Sequence, residues 1–230
     1  MKFLIFDTET TGLPPYSKII CQETLEKWPH IVQFSYVIFD TEINNIILSK
    51  DSIVKLSNIS ISEDSTNIHG ITNEISKEKG ENLQLILNEF FYHLRTCDLL
   101  VGHNVSFDIN MITVELFRII YNSLYPKEHI DAYKFDLHFL TNFKNVYCTL
   151  QESIDLCAIK TLDKYGREFN KWPKLSELHQ KLFNSIPNNL HNSFNDILVT
   201  LRCFYNLKFK KDLLKDCEQF ISLSENLKLF

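Results

Sequence analysis

The feature that most constrains the fold of this 230-residue chain is its opening run, KFLIFDTETTGLPP from Lys2 to Pro15. Lys2–Phe6 is a nearly continuous apolar run, which predicts a strand buried on both faces. It leads into Asp7 and Glu9 and then into a Gly–Leu–Pro–Pro break. Residues two apart in a strand point to the same side, so the two carboxylates project together where this strand ends. Converging carboxylates repel each other unless something positive lies between them. The simplest such partner is a divalent cation with oxygen ligands, Mg²⁺ or Mn²⁺. The alternative is a solvated strand end, where two acids cost little.

The rest of the chain supplies a sheet and helices around that strand. Ile31–Phe39 alternates Val32, Phe34, Tyr36 and Ile38 with less apolar residues and reads as a second strand, and Ile46–Lys55 as a weaker third. The polar segment from there through Thr72 reads as loop with a short helix. Leu83–Leu94 puts Leu83, Ile86, Leu87, Phe90, Phe91 and Leu94 on one stripe, which predicts a helix. DLLVG, Asp98–Gly102, is a short strand, and a helix follows over roughly Phe107–Tyr121. Tyr121–Asn145 reads as a long irregular connection. Val146–Leu150 suits a strand with a helix after it. Leu175–Phe183 is a short amphipathic helix ended by Pro187, and Asn192–Leu207 is the last strong helix. Strands come first, then helices and strands alternate, with no linker rich in Gly, Pro or Ser. The expectation is one α/β domain, a mixed central sheet flanked by helices.

Composition narrows the function. Hydrophobic residues at 44% are enough for a sizeable core. The formal net charge of -5 offers no general attraction to nucleic acid or to an anionic membrane. A polyanionic substrate would need local charge or a metal. Basic residues are denser at Lys160, Lys164, Arg167, Lys171 and Lys174, but Asp163 and Glu168 interrupt them, so this stretch reads as a solvated face or as a guide for a strand backbone. The six Cys form no CxxC pair and no zinc spacing with His, which suits reduced thiols inside a cell. Asp7 interrupts the FLIF run too early for a signal peptide, and no apolar stretch is long enough to span a bilayer, so the protein is expected to be intracellular, not secreted and without a membrane partner.

Two further clusters carry chemistry. In Gly102-His-Asn-Val-Ser-Phe-Asp108 a short strand runs into a polar turn, and Asp108 falls in the first turn of the next helix. Open α/β sheets place their sites at such strand ends. The alternative is helix capping by Asn104 or Ser106, with Asp108 favoured by the helix dipole. In His191-Asn-Ser-Phe-Asn-Asp196 the capping residue is Asn192 or Ser193, Asp196 falls in the first turn, and His191 precedes it on flexible chain from which it can swing toward a site; the alternative is capping with a surface His.

In this order the motifs FDTETTGLP, GHNVSFD and HNSFND resemble those of the DnaQ-like 3′–5′ exonucleases of the DEDDh type. The HGIT signature recurs as His69-Gly70-Ile71-Thr72, and KWPKLSELHQKLF, Lys171–Phe183, is similar to the family segment before the third motif. The sister subtype has a Tyr four residues before its last Asp, where this chain has Asn192. The resemblance runs from about Lys2 to Leu207. It implies a ribonuclease H-like fold, an exonuclease domain over 1–207 and a helical extension or tail over 208–230.

It also implies a site. Asp7, Glu9 and Asp196 would hold one Mg²⁺. Asp7 would bridge to a second ion, with Asp108 contributing there, and Mn²⁺ would substitute. His191 would be the general base. Thr8 and Thr10 would meet the terminal nucleotide, Leu13 would wedge against its base, His69 and Ile71 would come from the HGIT loop, and Asn104 and Phe107 would line the other side. Ordinary core packing is the alternative for Leu13, Ile71 and Phe107. The implied partner is a single-stranded or frayed 3′ end, DNA favoured, in proofreading or end-trimming, in the cytoplasm or at the site of DNA replication. An RNA 3′-end exoribonuclease, a non-catalytic binding module of the same fold and a hydrolase of small nucleotides are the rival readings. The terminal Asn226-Leu-Lys-Leu-Phe230 resembles a peptide that bacterial replication proteins offer to a sliding clamp, which would tether a clamp or a DNA polymerase; the structural alternative is an apolar end packed on the domain.

Overall fold

A computed structural model describes residues 1–122 and 125–230. In chain order its elements are β1 (Lys2–Thr10), β2 (Ile31–Asp40), β3 (Asn45–Ile53), α1 (Glu63–His69), α2 (Asn73–Lys79), α3 (Leu83–Leu94), β4 (Leu99–Gly102), α4 (Val105–Ile120), α5 (Lys127–Thr141), β5 (Val146–Cys148), the single turns α6 (Thr149–Glu152) and α7 (Ile154–Cys157), β6 (Lys160–Leu162), β7 (Glu168–Asn170), α8 (Leu175–Phe183), α9 (Ser193–Phe209), α10 (Leu213–Asp216) and α11 (Glu218–Asn226).

Five strands form one sheet in the order β3-β2-β1-β4-β5. β1, β2 and β3 pair antiparallel, while β4 and β5 run parallel to β1. β1 therefore lies at the centre, paired on both sides, which is why its first residues can be apolar without alternation. It also runs further than expected. Asp7 pairs with Ser35 and Glu9 with Gln33, so both acids lie inside the strand, and the register slips only after Glu9.

Each face of the sheet has its own core. On one face Phe3, Ile5, Val37 and Phe39 pack against Ile197, Leu201 and Phe204 of α9 and Phe220 of α11. On the other, Leu4, Phe6, Phe34 and Tyr36 pack against Phe90 and Phe91 of α3 and Met111 and Leu116 of α4. The Phe3 and Phe204 rings meet edge to face with centroids 4.9 Å apart. Packing of this kind, at roughly 2–3 kcal/mol per fully buried large side chain, presses α9 onto the strand that carries the acids.

One expectation changes. Tyr121–Asn145 is not irregular: α5 occupies most of it, held by Tyr133 and Leu140 in the core and by buried Asp136, which pairs with Arg95; positions 123 and 124 of that stretch lie outside the described residues. The basic stretch after Ile159 is a small hairpin, β6 with β7. There Lys160 pairs with Glu168 (3.2 Å), Arg167 with Asp163 (2.9 Å) and Lys171 with Glu177 (2.6 Å). Much of its positive charge is thus matched locally.

Beyond Leu207 the chain does not leave the domain. α9 continues to Phe209, and Leu213, Cys217, Phe220 and Leu229 are buried in the α9-side core. Leu229 is fully buried, and the Phe230 ring stacks on His179 with centroids 4.9 Å apart. Among the described residues no helix is long and apolar enough to cross a membrane. Because Phe204 joins α9 to the β1 face, Phe204→Ala is expected to destabilise the protein by about 3–5 kcal/mol in urea unfolding. A loss under 1 kcal/mol would show that this face does not hold the helix.

Candidate active site

Alternation along β1 sorts its side chains. Asp7 and Glu9 follow Phe3 and Ile5 on the α9 side, and Thr8 follows Leu4 and Phe6 on the α4 side. On the α9 side one carboxylate oxygen each of Asp7, Glu9 and Asp196 lies within 4.8 Å of the others.

What brings Asp196 there is a buried polar joint between α9 and the sheet. The Ser193 hydroxyl lies 2.6 Å from Ser35 Oγ, and the Ser193 N–H donates to Gln33 Oε1 (3.2 Å). Ser35 Oγ and Gln33 Nε2 each donate to Asp51 Oδ1 on β3, both at 2.8 Å. Asn192 caps the helix by accepting from Phe194 N and Asn195 N. Ser35 and Gln33 are the residues paired with Asp7 and Glu9, so the first turn of α9 is bonded to the row of the sheet that carries the acids. Their buried polar side chains were visible in the sequence only as the less apolar partners of a strand.

Asp108 arrives from the opposite face. β4 ends at Gly102, where a Cβ would lie 3.1 Å from the Val105 side chain, and the chain turns directly into α4. Asn104 takes a left-handed backbone (φ 67°) and makes no side-chain cap, so capping is not what Asn104 does here. Asp108 is buried, and its Oδ1 accepts from Thr8 N (3.0 Å) and Thr8 Oγ1 (2.7 Å). It stands beside the Asp7–Glu9–Asp196 group rather than within it.

The electrostatics follow from crowding acids out of water. Burial, then Asp108, Asp196 and Glu9, hold the Asp7 carboxyl well above its ordinary value. Burial and the charges of Asp196 and Asp108 push Glu9 up to about 8. Burial raises Asp108 to about 7 against the opposing bonds from Thr8, and raises Asp196 to about 7 against the bond from the His191 N–H. Among the described residues no lysine or arginine figures in the charges acting on them. Asp196 Oδ1 is buried with no hydrogen-bond partner among the described residues. An all-oxygen, uncompensated donor set with an orphaned carboxylate oxygen fits hard divalent cations.

The remaining predicted residues divide. Thr10 is buried and its hydroxyl donates to Gly12 O (2.7 Å), while the adjoining Thr11 carbonyl accepts from Ser65 of α1 (2.9 Å). This ties the HGIT helix to the first motif. His69, at the end of α1, accepts at Nδ1 from Ile71 N (3.1 Å), and its Nε2 is buried without a hydrogen-bond partner among the described residues. Ile71 packs with Val32 and Ile61, as ordinary core would. Leu13 is the opposite, 86% exposed beyond the end of β1. Phe107 is half-buried against the α4-side core and, with Asn104, borders a cleft of about 90 Å³. Trp172 borders the same cleft and is 60% exposed. The sequence held a signal for it, a tryptophan in the KWP run, but nothing to say which way it points. His103 fixes that run by donating from Nε2 to the Pro173 carbonyl (3.1 Å). His191 is exposed, in a left-handed backbone (φ 68°), and its N–H donates to Asp196 Oδ2 (3.3 Å). Among the described residues none hydrogen-bonds its imidazole.

Fold and site together define a ribonuclease H-like α/β domain with an acidic centre. The profile of the RNase_T family, described as exonuclease, matches residues 4–204, and the chain belongs to that exonuclease family. Among solved structures, the moderately thermophilic exonuclease I of Methylocaldum szegediense aligns at TM-score 0.62 with 16% identity, over 91% of this chain and 41% of that one. Exonuclease I of E. coli in complex with a dA16 oligonucleotide aligns at 0.57 with 18% identity, over 98% and 43%, and its complex with a dT13 oligonucleotide at 0.58 with 18% identity, over 93% and 42%. The chain spans less than half the length of these exonucleases. No curated protein sequence matches it significantly.

The raised carboxyls set a sign for stability. An acid whose pKa rises on folding favours the folded state while it keeps its proton. That contribution is complete below about pH 4, declines as pH rises, and is gone once pH passes the folded values of about 7 for Asp108 and Asp196 and about 8 for Glu9. The metal-free Tm is therefore expected to fall between pH 6 and pH 9, and Mg²⁺ to raise it more at pH 8 than at pH 6. Asp7→Asn should raise the metal-free Tm at pH 8 and remove the Mg²⁺ response. A pH-independent Tm unaffected by Mg²⁺ would contradict this assignment.

Proposed function

We propose that the protein is a DEDDh-type 3′–5′ exonuclease that releases nucleoside 5′-monophosphates from a single-stranded or frayed 3′ end, with DNA the favoured polymer. The observation that carries the reading is the convergence of Asp7, Glu9 and Asp196, with Asp108 alongside, in a domain of an exonuclease family. These four acids would hold two Mg²⁺ ions, with Mn²⁺ able to substitute. When bound, such ions supply positive charge to the phosphate and acidify the attacking water.

The chain's own residues do the rest. His191 accepts the proton of the attacking water. Its exposed ring, free of other bonds, can turn toward the acids from the residue whose N–H already touches Asp196. The Thr8–Thr10 backbone and Leu13 receive the terminal nucleotide. His69 offers the unpartnered Nε2, and Asn104 and Phe107 form the opposite wall, while Ile71 acts through packing. Trp172 beside them offers the next base a stacking face. The DNA preference draws support from likeness to enzymes solved with DNA oligonucleotides. A role in proofreading or end-trimming at sites of replication fits this chemistry, and the unpaired thiols suit an intracellular setting. A sliding clamp or polymerase binding through Leu229 and Phe230 would first have to draw a fully buried leucine out of the domain, so the tail serves as part of the fold.

A gel time course with Mg²⁺ and 5′-labelled single-stranded DNA and RNA of one sequence tests this. We expect a descending ladder, faster on DNA, abolished by EDTA and by Asp7→Ala, with kcat lowered about 10²- to 10⁴-fold in His191→Ala. A ladder faster on RNA would reassign the polymer. No ladder on either polymer, with Mn²⁺ also supplied, would defeat the reading.

A further inference from the structure

The family match ends at residue 204, yet the chain after it touches the loop that carries His191. That loop, residues 184–192, has little regular structure. Asn184, Asn189 and His191 all take left-handed backbone, at φ 57°, 55° and 68°, a conformation Asn adopts readily and His at some cost. On one side Leu190 packs against the α8–α9 cluster, the Asn195 side chain donates to Asn189 O (2.7 Å), and His179 Nδ1 donates to Ser185 O (2.7 Å).

On the other side the contacts come from the tail. Asn188 N donates to Leu229 O (2.9 Å), and the Asn189 amide donates to Leu227 O (3.0 Å). These carbonyls are themselves fixed. Leu229 is fully buried, and Phe230 is stacked on His179 and covered by the Arg202 guanidinium, 4.5 Å from its centroid. Arg202 is locked by two bonds to Asp212, both 2.9 Å. A chain of rigid contacts thus runs from the core to Asn189, two residues before His191.

We infer that the segment Leu227–Phe230 is a positioning element of the active site, fixing the loop so that the His191 backbone stays beside Asp196 and its ring within reach of the acids. This rests on His191 acting as the general base. The tail touches no substrate; it acts through the histidine.

The test pairs kinetics with amide hydrogen exchange on the full chain. Asn189→Asp keeps the side-chain size and the left-handed preference but loses the donor to Leu227 O. Leu229→Ala loosens the segment from the core side. Both should lower kcat about tenfold with KM unchanged within about twofold, and both should speed exchange across 185–192. In a His191→Ala background neither should lower kcat further, which a general loss of folding would not reproduce. Unchanged kcat, unchanged exchange in the loop, or an equal further loss in the His191→Ala background would overturn the inference. If the wild-type protein cuts no nucleic acid, the general-base reading fails, and the exchange arm alone judges whether the tail fixes the loop.

Discussion

The crowding of Asp7, Glu9, Asp108 and Asp196 out of water and against one another is the constraint around which this molecule is arranged. Four carboxyls withdrawn from water are unfavourable when charged, and the raised values of Glu9, Asp108 and Asp196 express that cost, from burial first and, at Glu9 and Asp108, from the neighbouring acids as well. Something must hold them together in the absence of attraction. The apolar part of the sheet does so: Phe3 and Ile5, just before the acids on the same face of β1, lie under α9, and the aromatic packing there works against the separation the charges favour.

Apolar packing fixes distance but not register, and the polar joint at the start of α9 supplies the register. Ser193, Ser35, Gln33 and Asp51 bond the first turn of the helix to the strand positions opposite Asp7 and Glu9. A slide of α9 by one residue would break these bonds and turn Asp196 away. On the other face Thr8 serves Asp108 in the same way through its N–H and hydroxyl. One strand thus carries two acids on one side and the anchor of a third on the other. The tail adds a further level, holding the loop before α9 while the joint holds the helix itself.

Much of this was legible in the chain, and the limits are physical. The helices Leu83–Leu94 and Leu175–Phe183 begin and end where periodicity puts them, because each buries one stripe. α5 was missed because its stripe is thin: only Tyr133, Asp136 and Leu140 are buried, and one of these is a carboxylate whose partner, Arg95, is forty-one positions away. The hairpin β6–β7, with three residues in each strand, gives period-two reasoning too little to work on. The pairing of Asp7 with Glu9 was readable because alternation along a strand puts both on one side, and Asp108 and Asp196 because each falls in the first turn of a helix. Gln33, Ser35 and the carbonyls of Leu227 and Leu229 were not, because their importance lies in partners far away in sequence. Leu13 and Ile71, alike as apolar residues, separate only once exposure is known.

The central claim is that protons stand in for cations at this acidic centre. Calorimetric titration of the metal-free protein with Mn²⁺ at pH 7, in buffers of different ionisation enthalpy, counts the protons released on binding. The account predicts saturable binding with about one proton or more expelled, and loss of both in Asp7→Asn. Binding with no proton release, or no binding at all, would contradict it.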